Sequence, residues 1–267
     1  MRRVSFTAIA AAFVLLAAAA QAQTMADIKK RGTMRLGYSE TSAPFSFKAK
    51  DGAPAGYSIE ICQRIATAVT TAGAPGAKVE WVPLTPGTRL ESVATGAVDI
   101  ECGTTTITLS RREKVDFSIP IFVDAATLLV RKSTATSITQ LQGKKVAAAR
   151  ATTTIPALER ALARGFVKVE VVRTGTVMEG FELLRDGKVD ALAGDRTALV
   201  GTFLQGGGAE GLMVLNDDLS YEPYALVLRK DDSEFRLLVD RVIAQLYRGG
   251  EIEDIYGRWL APLGKPS

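Results

Sequence analysis

The stretch Glu101-Cys102-Gly103-Thr104-Thr105-Thr106-Ile107-Thr108-Leu109-Ser110-Arg111-Arg112-Glu113-Lys114-Val115-Asp116-Phe117-Ser118-Ile119-Pro120 decides how the rest of the chain reads. Gly96-Ala97-Val98-Asp99-Ile100 before it is a short turn feeding a buried strand. The strand ends at Gly103, and three threonines follow where a chain emerges at the edge of a sheet. Ser110 with Glu113 makes a Ser-x-x-Glu capping box, which predicts a helix beginning there with Arg111 in its first turn. A guanidinium, threonine hydroxyls and unpaired backbone N–H groups in one place hold a carboxylate or similar anion well. Taken alone, the same residues also read as a solvated basic helix start.

Outward from this stretch, strands and helices alternate. Strands are expected at 34–38, 79–82 and 98–101, with helices around Cys62 and over 88–95. Such alternation predicts a parallel α/β sheet, and ligands of such sheets sit at the carboxyl ends of the strands, where 104–111 falls. The pattern then begins again. Val79-Glu80-Trp81-Val82 precedes Gly96-Ala97-Val98-Asp99-Ile100-Glu101-Cys102-Gly103, and Val169-Glu170-Val171-Val172 precedes Gly187-Lys188-Val189-Asp190-Ala191-Leu192-Ala193-Gly194. This diverged repeat predicts two similar α/β lobes facing one another, although two ordinary strand–helix–strand units would also look alike. In the second copy, 145–148 is a strand and Thr152-Thr153-Thr154-Ile155-Pro156 starts a helix that its threonines cap. That is either a second anion-binding helix start or a plain capped helix. Asp195 follows the second copy where Gly103 and Thr104 follow the first, and it reads as a ligand group or as the cap of a helix over 196–203. The runs 126–132 and 224–230 resemble each other and are expected as strands at two crossings between the lobes. Asp231 or Asp232 caps a long helix whose apolar positions Phe235, Leu238, Val239, Val242, Ile243 and Leu246 should pack on the first lobe. A second amphipathic helix carries Trp259.

Composition narrows the chemistry. Arg2 and Arg3 precede an apolar run over 8–20 that ends in Ala20-Gln21-Ala22, so 1–22 reads as a secretory signal peptide. A membrane anchor needs about 20 uninterrupted apolar residues, more than this run has. Removing the segment takes two arginines and no acid, so the formal charge of +4 becomes +2. That charge is too mild to argue for a nucleic-acid partner. There is no histidine, which excludes Ser-His-Asp and Cys-His catalysis and histidine-ligated metals; no metal and no cofactor are expected. The two cysteines, Cys62 on the apolar face of its helix and Cys102 at a strand end, pair in an oxidising compartment or stay as buried thiols. The remaining length of about 245 residues favours two lobes over one core.

The run Gly103-Thr104-Thr105-Thr106-Ile107-Thr108-x-x-Arg111-x-x-x-Val115-Asp116-Phe117-Ser118 resembles the signature of family 3 extracellular solute-binding proteins, the amino-acid receptors of bacterial ABC importers. The likeness runs from about Gly32 to Trp259, and Glu101-Cys102-Gly103 is most similar to the glutamate/aspartate-binding branch. The resemblance implies a periplasmic-binding-protein type II-like fold: two α/β lobes joined by two hinge strands, with the ligand cleft between them. Lobe 1 would take 23–124 and 222–267, and lobe 2 would take 125–221. It implies that Arg111 grips the α-carboxylate, helped by Thr104, Thr106 and the backbone at Thr152 and Thr153, while Asp195 takes the α-ammonium. A zwitterion then bridges the lobes, and the closed form meets the membrane permease subunits of an importer. The protein is expected to be a periplasmic monomer binding a free amino acid.

Two departures from the branch bear on selectivity. Arg89 matches one of the basic residues that its members place around the ligand's side-chain carboxylate. A second is replaced by Ser39, and the region of a further histidine, near Val177, is apolar. The expected ligand therefore has a polar or acidic side chain, with glutamate and aspartate as candidates. A competing class on the same fold resembles cyclohexadienyl dehydratase, with Glu40 or Asp195 as general acid. A ligand-sensing module of a receptor kinase would need a membrane span and cytoplasmic domains beyond Ser267.

Overall fold

Two five-stranded sheets with the same strand order organise the chain in the structure, a computed structural model that describes residues 24–207 and 211–261. The signal segment expected at 1–22 lies outside the described residues. The first sheet runs Lys78–Leu84, Thr33–Ser39, Ile100–Glu101, Val227–Arg229, Val115–Phe117. The second runs Glu170–Thr174, Lys145–Ala149, Ala191–Asp195, Ala126–Arg131, Leu212–Val214. In each, the first three strands are parallel and the fourth is antiparallel to its neighbours. The internal repeat seen in the sequence is thus a repeat of topology.

The antiparallel fourth strand arrives from the other lobe. The chain leaves the first sheet after Val115–Phe117, crosses as Phe122–Asp124 and enters the second as Ala126–Arg131. It leaves after Leu212–Val214, crosses back as Glu222–Tyr224 and re-enters the first as Val227–Arg229. The crossings pair antiparallel, with Glu222 opposite Asp124 and Tyr224 opposite Phe122. Of the two similar apolar runs expected at the crossings, Ala126–Arg131 and Val227–Arg229 lie inside the sheets instead, and only Tyr224 belongs to a crossing. Their near-continuous burial is the reason, since a strand covered on both faces reads as an unbroken apolar run.

Helices cover both faces. Tyr57–Ala68 and Ser233–Gly249 bury Ile61, Ile65, Phe235, Val239, Ile243 and Leu246 in one core against the first sheet. Each such side chain contributes about 1.5–3 kcal/mol on leaving water. Asp232 caps the long helix by accepting from Phe235 N–H, and Trp259 packs edge-on to Phe47. Cys62 in the helix Tyr57–Ala68 and Cys102, next after Ile100–Glu101, form a disulfide with their Cα atoms 6.2 Å apart.

Two local expectations are corrected. The strand expected at 98–101 shrinks to Ile100–Glu101, because Asp99 turns its carboxylate to Arg31 and to Arg35 N–H. The helix carrying Arg111 is capped by Thr108, whose hydroxyl accepts from Arg111 N–H, so it begins at Leu109 and ends at Arg112. Ser110 lies inside that turn, and Val115–Phe117 follows too soon for the Ser110–Glu113 box to start a helix.

No helix among the described residues is long and apolar enough to cross a membrane.

Candidate functional site

Parallel strands of the two sheets end at a shared cleft. Ser39, Leu84 and Glu101 close three strands of the first sheet, Asp195 closes one of the second, and all four line a cavity of about 50 Å³. That is several times the roughly 10–15 Å³ one water needs on this measure. Thr104 and Thr106 line it from the loop after Glu101, and Thr152, Thr153 and Thr154 line it from the start of the helix Thr154–Arg164. Arg89 enters from the first turn of the helix Arg89–Ala94, and Ala198 and Thr202, one turn apart, enter from Arg196–Gln205.

Three polar atoms in this wall are buried without a partner among the described residues: Arg89 Nε, Asp195 Oδ1 and Thr202 Oγ1. Arg89 is 8% exposed. Buried polar atoms are ordinarily paired, and leaving one unmade costs about 1–3 kcal/mol, more for a charged group. Donor and acceptor atoms left open on opposite lobes are what a ligand with both signs of charge would complete.

The electrostatics are unusual for so small a space. Burial pushes the Glu101 carboxyl above its usual range, against the opposing pull of Arg89 and the Thr105 hydroxyl at 2.8 Å. Burial, with Asp124 and Glu222 nearby, raises Asp195 to about 7. Burial, with Arg89 adding repulsion, lowers Arg111 to about 10, so it remains a cation at neutral pH. Arg111 stands behind the cavity wall: Nη1 donates to Thr106 O at 2.7 Å and Nη2 reaches Ala151 O at 3.5 Å. One guanidinium thereby touches both lobes, and its five N–H groups leave further donors free of these two carbonyls. Ala151 sits at φ 58°, in the left-handed region that a non-glycine residue enters at a cost of roughly 1–2 kcal/mol.

The threonines do not cap the second-lobe helix as expected. Thr153 occupies the N-cap position, yet its hydroxyl donates to Glu222 Oε2 at 2.6 Å, and Thr152 donates to Ala149 O at 2.7 Å. Asp195 likewise makes no side-chain cap; its Oδ2 accepts from the Tyr224 hydroxyl. Glu40, named as a possible general acid, is paired with Lys48 at 3.2 Å on the surface and does not line the cavity. Ser39 and Val177, the positions that depart from the glutamate/aspartate branch, do line it.

The main residues that reading the sequence missed are Glu222, Tyr224, Asp124 and Thr202. Alternation along Glu222–Tyr224 points both ends to one face, Glu222 to Thr106 and Thr153 and Tyr224 to Asp195. Asp124 accepts from Thr197 N–H. The available signal was a pair of acids flanking the two crossing segments; what those acids meet depends on the other lobe.

Two α/β lobes of matched topology, tied by two short crossing strands and closed on a cavity that both line, define a hinged binding protein of the type II periplasmic kind. The family described as "Bacterial extracellular solute-binding proteins, family 3" matches residues 34–262, and the chain belongs to it. The "L-glutamate/L-aspartate-binding protein" of Pseudomonas aeruginosa is 34% identical over 240 residues, covering 88% of this chain and 79% of that one. Among solved structures, "An ancestral arginine-binding protein bound to arginine" matches with TM-score 0.76 and 28% identity, over 86% of this chain and 99% of that one. The ancestral amino acid-binding protein AncCDT-1, "a precursor of cyclohexadienyl dehydratase", matches with TM-score 0.73 and 30% identity, over 88% and 98%.

Proposed function

We propose that this protein captures a free L-amino acid with a polar or acidic side chain, glutamate and aspartate foremost, by lobe closure and delivers it to the membrane permease of an ABC importer. The observation that carries this reading is the pair Arg89 Nε and Asp195 Oδ1, buried on opposite lobes of one cavity with no partner among the described residues. Asp195 receives the α-ammonium. Arg111 holds the α-carboxylate with backbone N–H groups at Thr152 and Thr153 and with Thr104, while the Thr106 hydroxyl, whose hydrogen goes to Glu222, faces the ligand as an acceptor. Arg89 takes an anionic or polar side-chain end, and its charge disfavours a cationic one. The relatives support the same class of ligand, since the Pseudomonas protein's name gives glutamate and aspartate. The lobes divide as 23–124 with 222–267, and 125–221, which fits crossings at Phe122–Asp124 and Glu222–Tyr224; residues 23, 208–210 and 262–267 lie outside the described part. A signal at 1–22 delivers a monomer to the periplasm.

A thermal-shift screen of the purified protein against the common amino acids tests this, because a ligand at 100 times its Kd stabilises by about 2.7 kcal/mol. Glutamate, aspartate or a neutral polar amino acid should give the largest shift. Tight binding of arginine or lysine with glutamate and glutamine both inert would overturn the assignment.

One observation favours a second reading, a dehydratase-like enzyme. A buried carboxyl raised to about 7, as Asp195 is, can serve as a general acid near neutrality. Turnover of prephenate or arogenate would decide for it.

A further inference from the structure

Glu222 sits on the second crossing strand and is 2% exposed. Its Oε2 accepts two hydroxyl hydrogen bonds at 2.6 Å, one from Thr106 on the first lobe and one from Thr153 on the second. Its Oε1 accepts from Ser220. The two threonine oxygens stand 3.4 Å apart across the cleft, and both line the cavity. One oxygen atom can hold a hydroxyl of each lobe only while the lobes are closed, so opening must break at least one of these bonds.

There is a second consequence. A hydroxyl carries one hydrogen. Those of Thr106 and Thr153 are committed to Glu222, so only lone pairs remain for the cavity. Thr106 Oγ1 and Thr153 Oγ1 are therefore acceptors toward a ligand, and any anion there must be held by guanidinium and backbone N–H groups.

We propose that Glu222 is a positioning residue that clasps Thr106 and Thr153 together across the cleft, orients their lone pairs toward the ligand and sets the rate at which ligand leaves. The ligand half of this rests on the amino-acid-binding reading above; the clasp itself does not.

The test uses L-glutamate as the probe in stopped-flow binding to wild type, Glu222→Ala, Glu222→Gln, Thr153→Val and the double variant Glu222→Ala with Thr153→Val. In Glu222→Ala, association should stay within about twofold while dissociation rises about tenfold or more, the scale of losing hydrogen bonds to a charged group. Glu222→Gln, whose amide oxygen still accepts both hydroxyls, should stay within about threefold of wild type. Adding Thr153→Val to Glu222→Ala should bring little further loss. Unchanged dissociation in Glu222→Ala, or losses that simply add, would overturn the clasp. Should Glu222→Ala fail to fold, a cycle of Thr106→Val and Thr153→Val decides: a double loss close to either single one supports a shared acceptor, and full additivity rejects it. If wild type binds neither glutamate nor any common amino acid, the functional reading fails. X-ray scattering of unliganded protein then decides the clasp, with wild type more compact than Glu222→Ala expected and equal radii of gyration overturning it.

Discussion

The Tyr224 hydroxyl donates to Asp195 Oδ2 across the cleft, and Asp195 Oδ1 is left buried with no partner among the described residues. A strand that crosses between the lobes thus holds the one acid that closes the second sheet's edge of the cavity. Burial first, then Asp124 and Glu222, raise this carboxyl from 3.8 to about 7. The ammonium proposed to bind there would supply the missing partner and draw the carboxyl back down.

Asp195 should therefore couple binding to pH. At pH 6 the unliganded carboxyl is mostly protonated, so binding an amino acid should release close to one proton, and affinity should fall about tenfold per pH unit below 7. Calorimetry in two buffers of different ionisation enthalpy reads the proton directly; none released at pH 6 would remove Asp195 from the ammonium site. Stability runs the other way. A carboxyl raised on folding contributes stability that is fully present below its ordinary value near 3.8 and is lost as pH rises through about 7. Asp195→Asn should thus melt above wild type at pH 8, with the gap closing toward pH 5.

Arg89→Met should separate ligands by side chain. Removing the cation should weaken acidic amino acids by roughly 2–5 kcal/mol and neutral ones by much less. Equal loss for every ligand would mean that Arg89 only braces its loop.

Arg111 should matter to all ligands alike. Arg111→Ala removes a group in contact with carbonyls of both lobes and should cost roughly 2–5 kcal/mol of binding. Arg111→Lys should also be damaging, because an ammonium lacks the planar fork that meets two carbonyls and a carboxylate at once. Wild-type affinity in both variants, measured by calorimetry, would refute the role.

Gly201 is a test of closure itself. A Cβ there would overlap the Ala43 carbonyl oxygen and lie 2.7 Å from its carbon and 2.8 Å from Pro44 Cδ, and these atoms belong to the other lobe. Overpacking of this kind costs about 1–3 kcal/mol in the closed form, while alanine is the better helix former by about 1 kcal/mol in any form. Gly201→Ala should bind about tenfold more weakly with an unliganded melting temperature at or above wild type. A loss of stability without loss of affinity would contradict it.

Reducing the disulfide should cost stability and spare binding. The bridge spans a sequence separation of 40, for which the chain-entropy model gives about 4 kcal/mol. Denaturant titrations with and without reductant measure this, and the oxidised protein should label no thiols when unfolded.

The sequence by itself determined the strand–helix alternation, the repeat, the cysteine pair and the stretch around Arg111, because these rest on local periodicity and on hydroxyl, glycine and charge chemistry within a few residues. Thr104, Thr106, Thr152, Thr153 and Asp195, which line the cavity, stand at a strand end or helix start of their own lobe and were legible as candidates for the same reason, whereas Arg89 was picked out only by the family resemblance. Tertiary structure alone decided what those groups do to one another. Thr153 has the residue type of a cap, yet its hydroxyl turns to Glu222, 69 positions away, and donates there instead of accepting from a helix N–H, because a hydrogen bond to a carboxylate is stronger than one between neutral groups. Asp195 has the residue type of a cap as well, and Tyr224 takes it. Ser110 and Glu113 fit a capping pattern that the short turn before Val115–Phe117 has no room to use. Local sequence sets which hydrogen bonds a side chain is able to make. Which of them forms is settled by whatever acceptor or donor the opposite lobe brings into the same dry space, where an unpaired group is costly, and that partner is chosen by chain crossings far away in sequence.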